Sequence, residues 1–318
     1  MLLPTAGLAL AVVVAPVQAQ NPECQTYAGE SRPFNLCNAV LDAARGFHPV
    51  LGLLTSGGAP VLGATDGLGG FGHVYVSARV NATRVVLPDL DYDGTTTTVG
   101  PGDKLFFPSP VIETAVGLFG GTRAGLLALD FLGSAQLLPI NQIDNFGVAS
   151  SARRIGSVAL GLGFGGRVGI VRETPATPAI AVSVMYRDIP ELRYGDLGAG
   201  ANQSFATDLN ATNLRAVVTK RFGLASLAGG IGWDHYTGHA QVQFRNPITA
   251  IPEQAIELDL ASSRTMGFVN AGLGFRYVKL VGEAGYQLGK DQHLVTTFAD
   301  FDPSGGRFFA AVGLTVGL

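Results

Sequence analysis

The densest run of chemistry-bearing residues is Asp89-Leu90-Asp91-Tyr92-Asp93-Gly94. Carboxylates at alternate positions, followed by a glycine, match the first half of a calcium loop, where they wrap one hard cation. Thr95 would add its backbone carbonyl. The position of the usual bidentate acid is Gly100, so Asp103 would have to substitute. Calcium is therefore the one cofactor these residues suggest, and the competing reading is an acidic loop tip in water. A second set, Arg79, Glu113, Asp130, Arg215 and Glu283, carries both signs on apolar-rich segments. Such charges must pair or meet water. They predict either a structural salt-bridge network or a charged constriction that selects solutes.

Other candidates fail on spacing. His235 and His239 are four apart beside Asp234. On a strand that spacing is about 13 Å, too far to share a metal ion. Asp234 and His235 are adjacent, so a strand turns their side chains to opposite faces. His73 and Ser77 lie two pleats apart, beyond a hydrogen bond. Cys24 and Cys37 are the only cysteines. In an exported chain a close, even pair predicts a disulfide, and no further zinc ligands stand nearby.

The elements that must position these residues show a period of two. Val74, Val76, Ala78, Val80 and Ala82 alternate with His73, Tyr75, Ser77, Arg79, Asn81 and Thr83. A strand puts the two sets on opposite faces. The same alternation recurs around Glu113, Asp130, Arg167, Arg187, Arg215, Asp234, Asn270 and Glu283, and through Phe308 to Leu318. Short links at 120–123, 173–178, 220–223 and 274–277 alternate with long ones at 85–109, 138–154, 188–205, 236–260 and 289–306. Short turns at one end and long loops at the other predict an all-β, antiparallel transmembrane barrel over residues 71–318. The count is ten strands. Residues 241–244 and 293–298 also alternate, as strand extensions or as an extra pair that would make twelve.

Counted up from the short turns, Arg79, Glu113 and Asp130 reach similar depth on adjacent strands. The five charges then share one lumen, which a ten-strand wall leaves barely wider than its own side chains.

Residues 1–19 read as a secretory signal peptide: an apolar run from Leu8 to Val14, then Val17-Gln18-Ala19 as a cleavage pattern. Residues 20–70 form a separate cap or plug segment, periplasmic or inserted in the lumen and tied by the disulfide. Asn35 is placed to cap a helix from Leu36 to Arg45, with Gly46 ending it. Composition agrees with export to a membrane. The chain has 44 glycines, 47% apolar and 14% charged residues, with no apolar run in the mature chain long enough for a membrane helix. A formal net charge of −3 gives nucleic-acid binding no support.

Val312, Leu314, Val316 and Leu318 make the last strand similar to the terminal strand of bacterial outer-membrane β-barrel proteins. The resemblance is to the class and covers residues 71–318; Leu318 stands where the class usually ends in an aromatic. It implies an outer-membrane location, contact with outer-membrane lipid, and recognition of the last strand by the barrel-assembly machinery. Residues 20–70 loosely resemble the N-terminal hatch of the fatty-acid-type outer-membrane channels. The size resembles omptin-type proteases, but the acidic pair and Asp-His couple of that group are missing, as is the His-x-Ser pairing of the outer-membrane phospholipases. The expectation is a non-enzymatic, porin-like barrel with a side-chain-filled lumen and a structural or binding role. A narrow channel or conduit for small or hydrophobic solutes is the alternative, and a barrel enzyme is the remote one. No residue pattern identifies a small-molecule ligand.

Overall fold

The computed structural model describes residues 21–64, 67–122, 126–139, 145–148, 152–155, 158–275 and 277–317. Residues 1–19, for which a signal peptide is expected, and Leu318 lie outside that set.

Ten antiparallel strands form the wall. They are β1 (Val74–Pro88), β2 (Pro101–Phe119), β3 (Leu126–Pro139), β4 (Val158–Val171) and β5 (Ala179–Tyr194). Then follow β6 (Gln203–Phe222), β7 (Ala225–Phe244), β8 (Ile256–Phe275), β9 (Val278–Gln287) and β10 (Arg307–Gly317). Each pairs with its chain neighbours, and β1 pairs with β10 to close the ring. Closure gives each wall strand a partner on both sides, the condition for a β-structure in lipid. Gln241–Phe244 continues β7. Thr297–Phe298 pairs in parallel with Thr98–Val99 outside the wall. Two short strands, Phe146–Val148 and Arg154–Ile155, add to β5 and β4. The wall therefore has ten strands, not twelve.

The predicted faces are observed. Ser77, Arg79, Asn81 and Thr83 are buried inside, whereas Val76 and Val80 are exposed outside. Along the outside, Trp233, Tyr186, Tyr286 and Phe308 lie on the side of the long loops, and Phe119, Phe222, Phe275 and Tyr277 on the side of the short turns. Trp233 stands eight residues along β7 from Ala225. At ~3.3 Å per residue and ~40° of tilt that is roughly 20 Å of height, close to the apolar band of an outer-membrane barrel.

The strands run further outward than their alternation predicts. Above Trp233 the parity holds but the polarity inverts. Tyr236, Ala240, Val242 and Phe244 point inward and are fully buried, while Thr237, His239, Gln241 and Gln243 point outward. Outside the bilayer the outer face meets water, and the inner face has something apolar to cover.

That something is helix α1, Ser31–Ser56, preceded by a single 3₁₀ turn at Pro22–Tyr27. It lies inside the barrel against β6, β7, β1, β2 and β8. Leu36, Val40, Leu41, Ala44, Phe47, Val50, Leu51 and Leu54 join Val85, Leu87, Phe205, Leu209 and Phe244 in one core. The helix is longer than the predicted 36–45, and Gly46 does not end it. Gly46 instead lets the loop approach: a Cβ there would sit 2.9 Å from Pro303. The helix also continues through Pro49. An interior proline costs about 3 kcal/mol, which burial of a few leucine-sized side chains at ~1.5–3 kcal/mol each offsets. The Cys24–Cys37 disulfide, with a Cα separation of 5.7 Å, ties the 3₁₀ turn to the helix.

Candidate functional site

The site is the inner half of the lumen, where α1 ends and the chain runs on as irregular backbone toward β1. A helix leaves its last four carbonyls without intrahelical partners. In water they would be solvated; here the wall must supply donors. Asn81 Nδ2 donates to the Leu54 carbonyl (3.2 Å) and Gln136 Nε2 to that of Thr55. Arg215 donates to the carbonyls of Ser56 and Gly58 (2.8 Å each), and Arg79 to that of Ala59 (3.0 Å). Cations at the negative end of the helix dipole are favourable beyond the hydrogen bonds.

The carboxylates hold the next N–H groups. Ala59 N donates to Glu283 (3.0 Å), Leu62 N to Glu113 (3.1 Å) and Leu68 N to Asp130 (3.2 Å). Lys279 donates to the Gly63 carbonyl (3.0 Å), Thr315 to that of Leu62 (2.6 Å) and Arg167 to that of Ala64. Thus the wall reads the backbone of residues 54–64 and of Leu68 more than their side chains. Gly58 is required at one point. Its φ is +81°, and a Cβ would lie 1.7 Å from Glu283 Oε1.

The charges also pair with one another. Arg79 lies 2.8 Å from Glu113 and 3.5 Å from Glu283, with all three side chains fully buried. Arg167 pairs with Asp130 at 2.9 Å, and Arg215 with Asp234 at 2.6 Å. Asp234 also accepts from Asn213 (2.7 Å) and Tyr236 (2.9 Å). Four buried arginines (79, 167, 187, 215) thus face four buried carboxylates (113, 130, 234, 283).

All five residues singled out in the sequence are in the lumen, but not as one cluster. Arg79, Glu113 and Glu283 come together. Asp130 does not join them: it stands opposite Gly117, four residues closer to the short turns than Glu113, and takes Arg167 as partner. Counting from the turns missed this because tilted strands stagger equal counts. Arg167, Arg187 and Asp234 were legible as inward residues but carried no signal of partnership. The backbone of residues 54–64 and of Leu68 had no sequence signal at all. The lumen is filled by the chain itself, rather than by wall side chains alone.

The acidic loop is placed at the outer rim. Asp89 Oδ1 accepts from Asp91 N (3.0 Å), and Asp93 Oδ1 from Thr95 N (3.1 Å) and Thr95 Oγ1 (2.8 Å). Asp93 Oδ2 pairs with Arg32 of α1 at 2.7 Å. Asp103 receives the Tyr194 hydroxyl at 3.3 Å. Among the described residues, no three of these acids converge on a metal position. His235 donates to or accepts from Ser263 (2.9 Å), and His239 stands between Asp208 and Asp259.

A closed antiparallel wall, apolar outside between two aromatic girdles and charged within, defines a bacterial outer-membrane β-barrel. In such barrels the short-turn end is periplasmic and the long-loop end faces outward. The sequence matches no family profile and no curated relative. Among solved structures it is similar to Neisserial surface protein A (10% identity, 77% of this chain and 98% of that one, TM-score 0.30). It is also similar to the translocator domain of autotransporter NalP from Neisseria meningitidis (10%, 86% and 97%, 0.41). A third is the P. putida toluene transporter TodX (10%, 77% and 89%, 0.28).

Proposed function

We propose that this is a non-enzymatic outer-membrane barrel whose lumen is closed by its own N-terminal segment, and whose role is structural or binding at the cell surface. The observation that carries the reading is the double use of Arg79. It pairs with both Glu113 and Glu283 while holding the Ala59 carbonyl, so wall and plug share one buried network. A solute path through the lumen would have to break several charge-assisted hydrogen bonds at once, each worth more than a neutral one. The outer loops and the start of α1 are then the parts offered to the surroundings.

The test is conductance of the purified protein in planar bilayers. The expected result is a closed barrel with rare, brief openings. Large, steady currents from the parent protein would replace this reading with the channel or conduit.

A further inference from the structure

The wall is not equally tall all round. β9 ends at Gln287, opposite Met266, so β8 from Ile256 to Thr265 lacks a strand partner on that side. The loop meets it at the Thr265 carbonyl, which accepts from the Leu288 N–H (2.8 Å). The gap is a notch, filled in part by the loop 288–306. A cavity of about 380 Å³ lies in it, lined by Ser262, Arg264 and Asp259 of β8, Lys290 and Asp291 of the loop, and Arg45 and His48 of α1.

The notch is built for an anion. Arg307 stands opposite Gln287 on β10, and Arg264 lies two residues outward of Gln287's other partner, Met266, on β8. Arg307 lines the neighbouring cavity with Phe301 and Asp302, which leaves the notch to Arg264 and Lys290. Arg264 donates to the Lys290 carbonyl, and Arg307 to that of Asp302. Among the described residues, Arg264, Lys290 and Arg307 form no ion pair. The acids at the rim, Asp259 and Asp291, turn to His239 and His293, each at 3.4 Å. Arg264 is 96% buried, yet its Nε has no partner, and neither does the buried Ser262 Oγ. Arg264 lines the cavity as a residue while part of its donor capacity stays unused, which is costly for a buried cation.

Directly below, on the lipid side, is an apolar groove of about 660 Å³ between Ile231, Trp233, Tyr286 and Leu288, floored by Gly232 and Gly267. Thr265 and Leu288 line this groove, next in the chain to Arg264 and two residues from Lys290. Arg264 lies eleven residues along β8 from its inner end at Phe275. That is roughly 28 Å of height, the outer margin of the apolar band.

We infer that the notch and the groove together bind one lipid of the outer leaflet, its phosphate in the notch between Arg264 and Lys290, and an acyl chain in the groove. Charge and shape both select this occupant: a free anion would leave the groove unused, and a neutral lipid would leave Arg264 and Lys290 without an anionic partner. The inference does not depend on whether the lumen conducts.

The experiment is thermal unfolding of the full chain in neutral detergent micelles with added dioleoyl phosphatidic acid, dioleoyl phosphatidylcholine or inorganic phosphate. Phosphatidic acid should raise the melting temperature by roughly 3–8 °C at saturation, and the other two by a small fraction of that. Lys290→Gln should reduce the shift and Arg264→Gln should abolish it, whereas Arg307→Gln, in the neighbouring cavity, should leave most of it. Gly267→Leu is the second arm. A Cβ at Gly267 meets nothing within 4 Å, so the variant folds while its side chain fills the groove, and it too should lose the shift. An equal shift with phosphatidylcholine would overturn the inference. So would the full shift with inorganic phosphate alone, or an undiminished shift in Gly267→Leu.

Discussion

Arg79 and Glu113 meet at 2.8 Å with neither side chain open to solvent. Glu283 shares the same guanidinium, so removing it leaves two buried carboxylates facing one another. Uncompensating a buried pair costs about 3–5 kcal/mol. Arg79→Ala should lose that much in urea unfolding from micelles and should raise the bilayer leak. Adding Glu113→Gln and Glu283→Gln to the same chain should recover part of the stability, because no bare charge then remains. A single variant as stable as the parent would mean that water reaches these groups freely.

Gly58 gives a test of the plug that leaves every charge in place. Alanine there is strained by a φ of +81° and would press a methyl group into Glu283. The plug backbone must shift, and the Arg215 and Glu283 hydrogen bonds around it with it. The expected result for Gly58→Ala is a loss of about 1–3 kcal/mol with faster protease cleavage after α1. The neighbouring Gly72→Ala, also at positive φ but in open space, should not speed cleavage at that point. Equal cleavage in the two variants would show that the backbone of residues 57–62 is not held as described.

How much of this was legible in the sequence follows from what each strand face touches. Val76 and Val80 touch lipid and Ser77 and Arg79 touch the polar lumen, so the alternation in β1 announced itself. In the upper part of β7 the same parity carries opposite chemistry, because Val242 and Phe244 cover α1 and Gln241 and Gln243 meet water. Read as one continuous rule, that segment looks like a loop. Read as an inversion, it announces an apolar object inside the barrel. The partnership of Arg167 with Asp130 was not legible, because stagger between strands comes from tilt and not from spacing. The capture of main-chain groups from Leu54 to Ala64 and at Leu68 was not legible either, since a backbone carbonyl is the same in every residue.

Asp93 at the outer rim carries a pH dependence. Hydrogen bonding from Thr95, with the nearby Arg32, holds its carboxyl below the usual carboxylate range. A depressed acid contributes stability above its unfolded pKa and loses it as pH falls through the folded value. The contact between Arg32 and the loop should therefore be intact from about pH 5 upward and fade below about pH 4. Both side chains are about 41% exposed, so Asp93→Asn should cost less than about 1 kcal/mol at pH 7 and progressively less as pH falls below the usual carboxylate range. The same loop separates the ion pair from a calcium site. A chelator should leave the parent's melting temperature unchanged, since a cation would have to take Asp93 from Arg32; a fall that Asp91→Ala abolishes would restore calcium.

The direction of the plug gives the sharpest topological prediction. Arg32 pairs with the loop after β1, and Asp42 accepts from Val295 and Thr296 in the loop after β9. Both loops are at the long-loop end. Leu68 reaches Asp130, and a Cβ at Gly70 would meet Gly120, at the short-turn end. The chain therefore descends through the lumen from the outer surface and enters β1 from the periplasm. Gly29 is exposed with nothing near its Cβ position, and Phe71 is 88% exposed. In a Cys24→Ser, Cys37→Ser background, Gly29→Cys should react with a membrane-impermeant maleimide on intact cells. Phe71→Cys should react only after the outer membrane is permeabilised. The background change removes a loop closure of 13 residues, worth about 3 kcal/mol, and the burial of α1 inside the barrel should still hold the fold. Labelling of Phe71→Cys on intact cells, with Gly29→Cys silent, would invert the barrel in the membrane and with it every assignment of inner and outer ends.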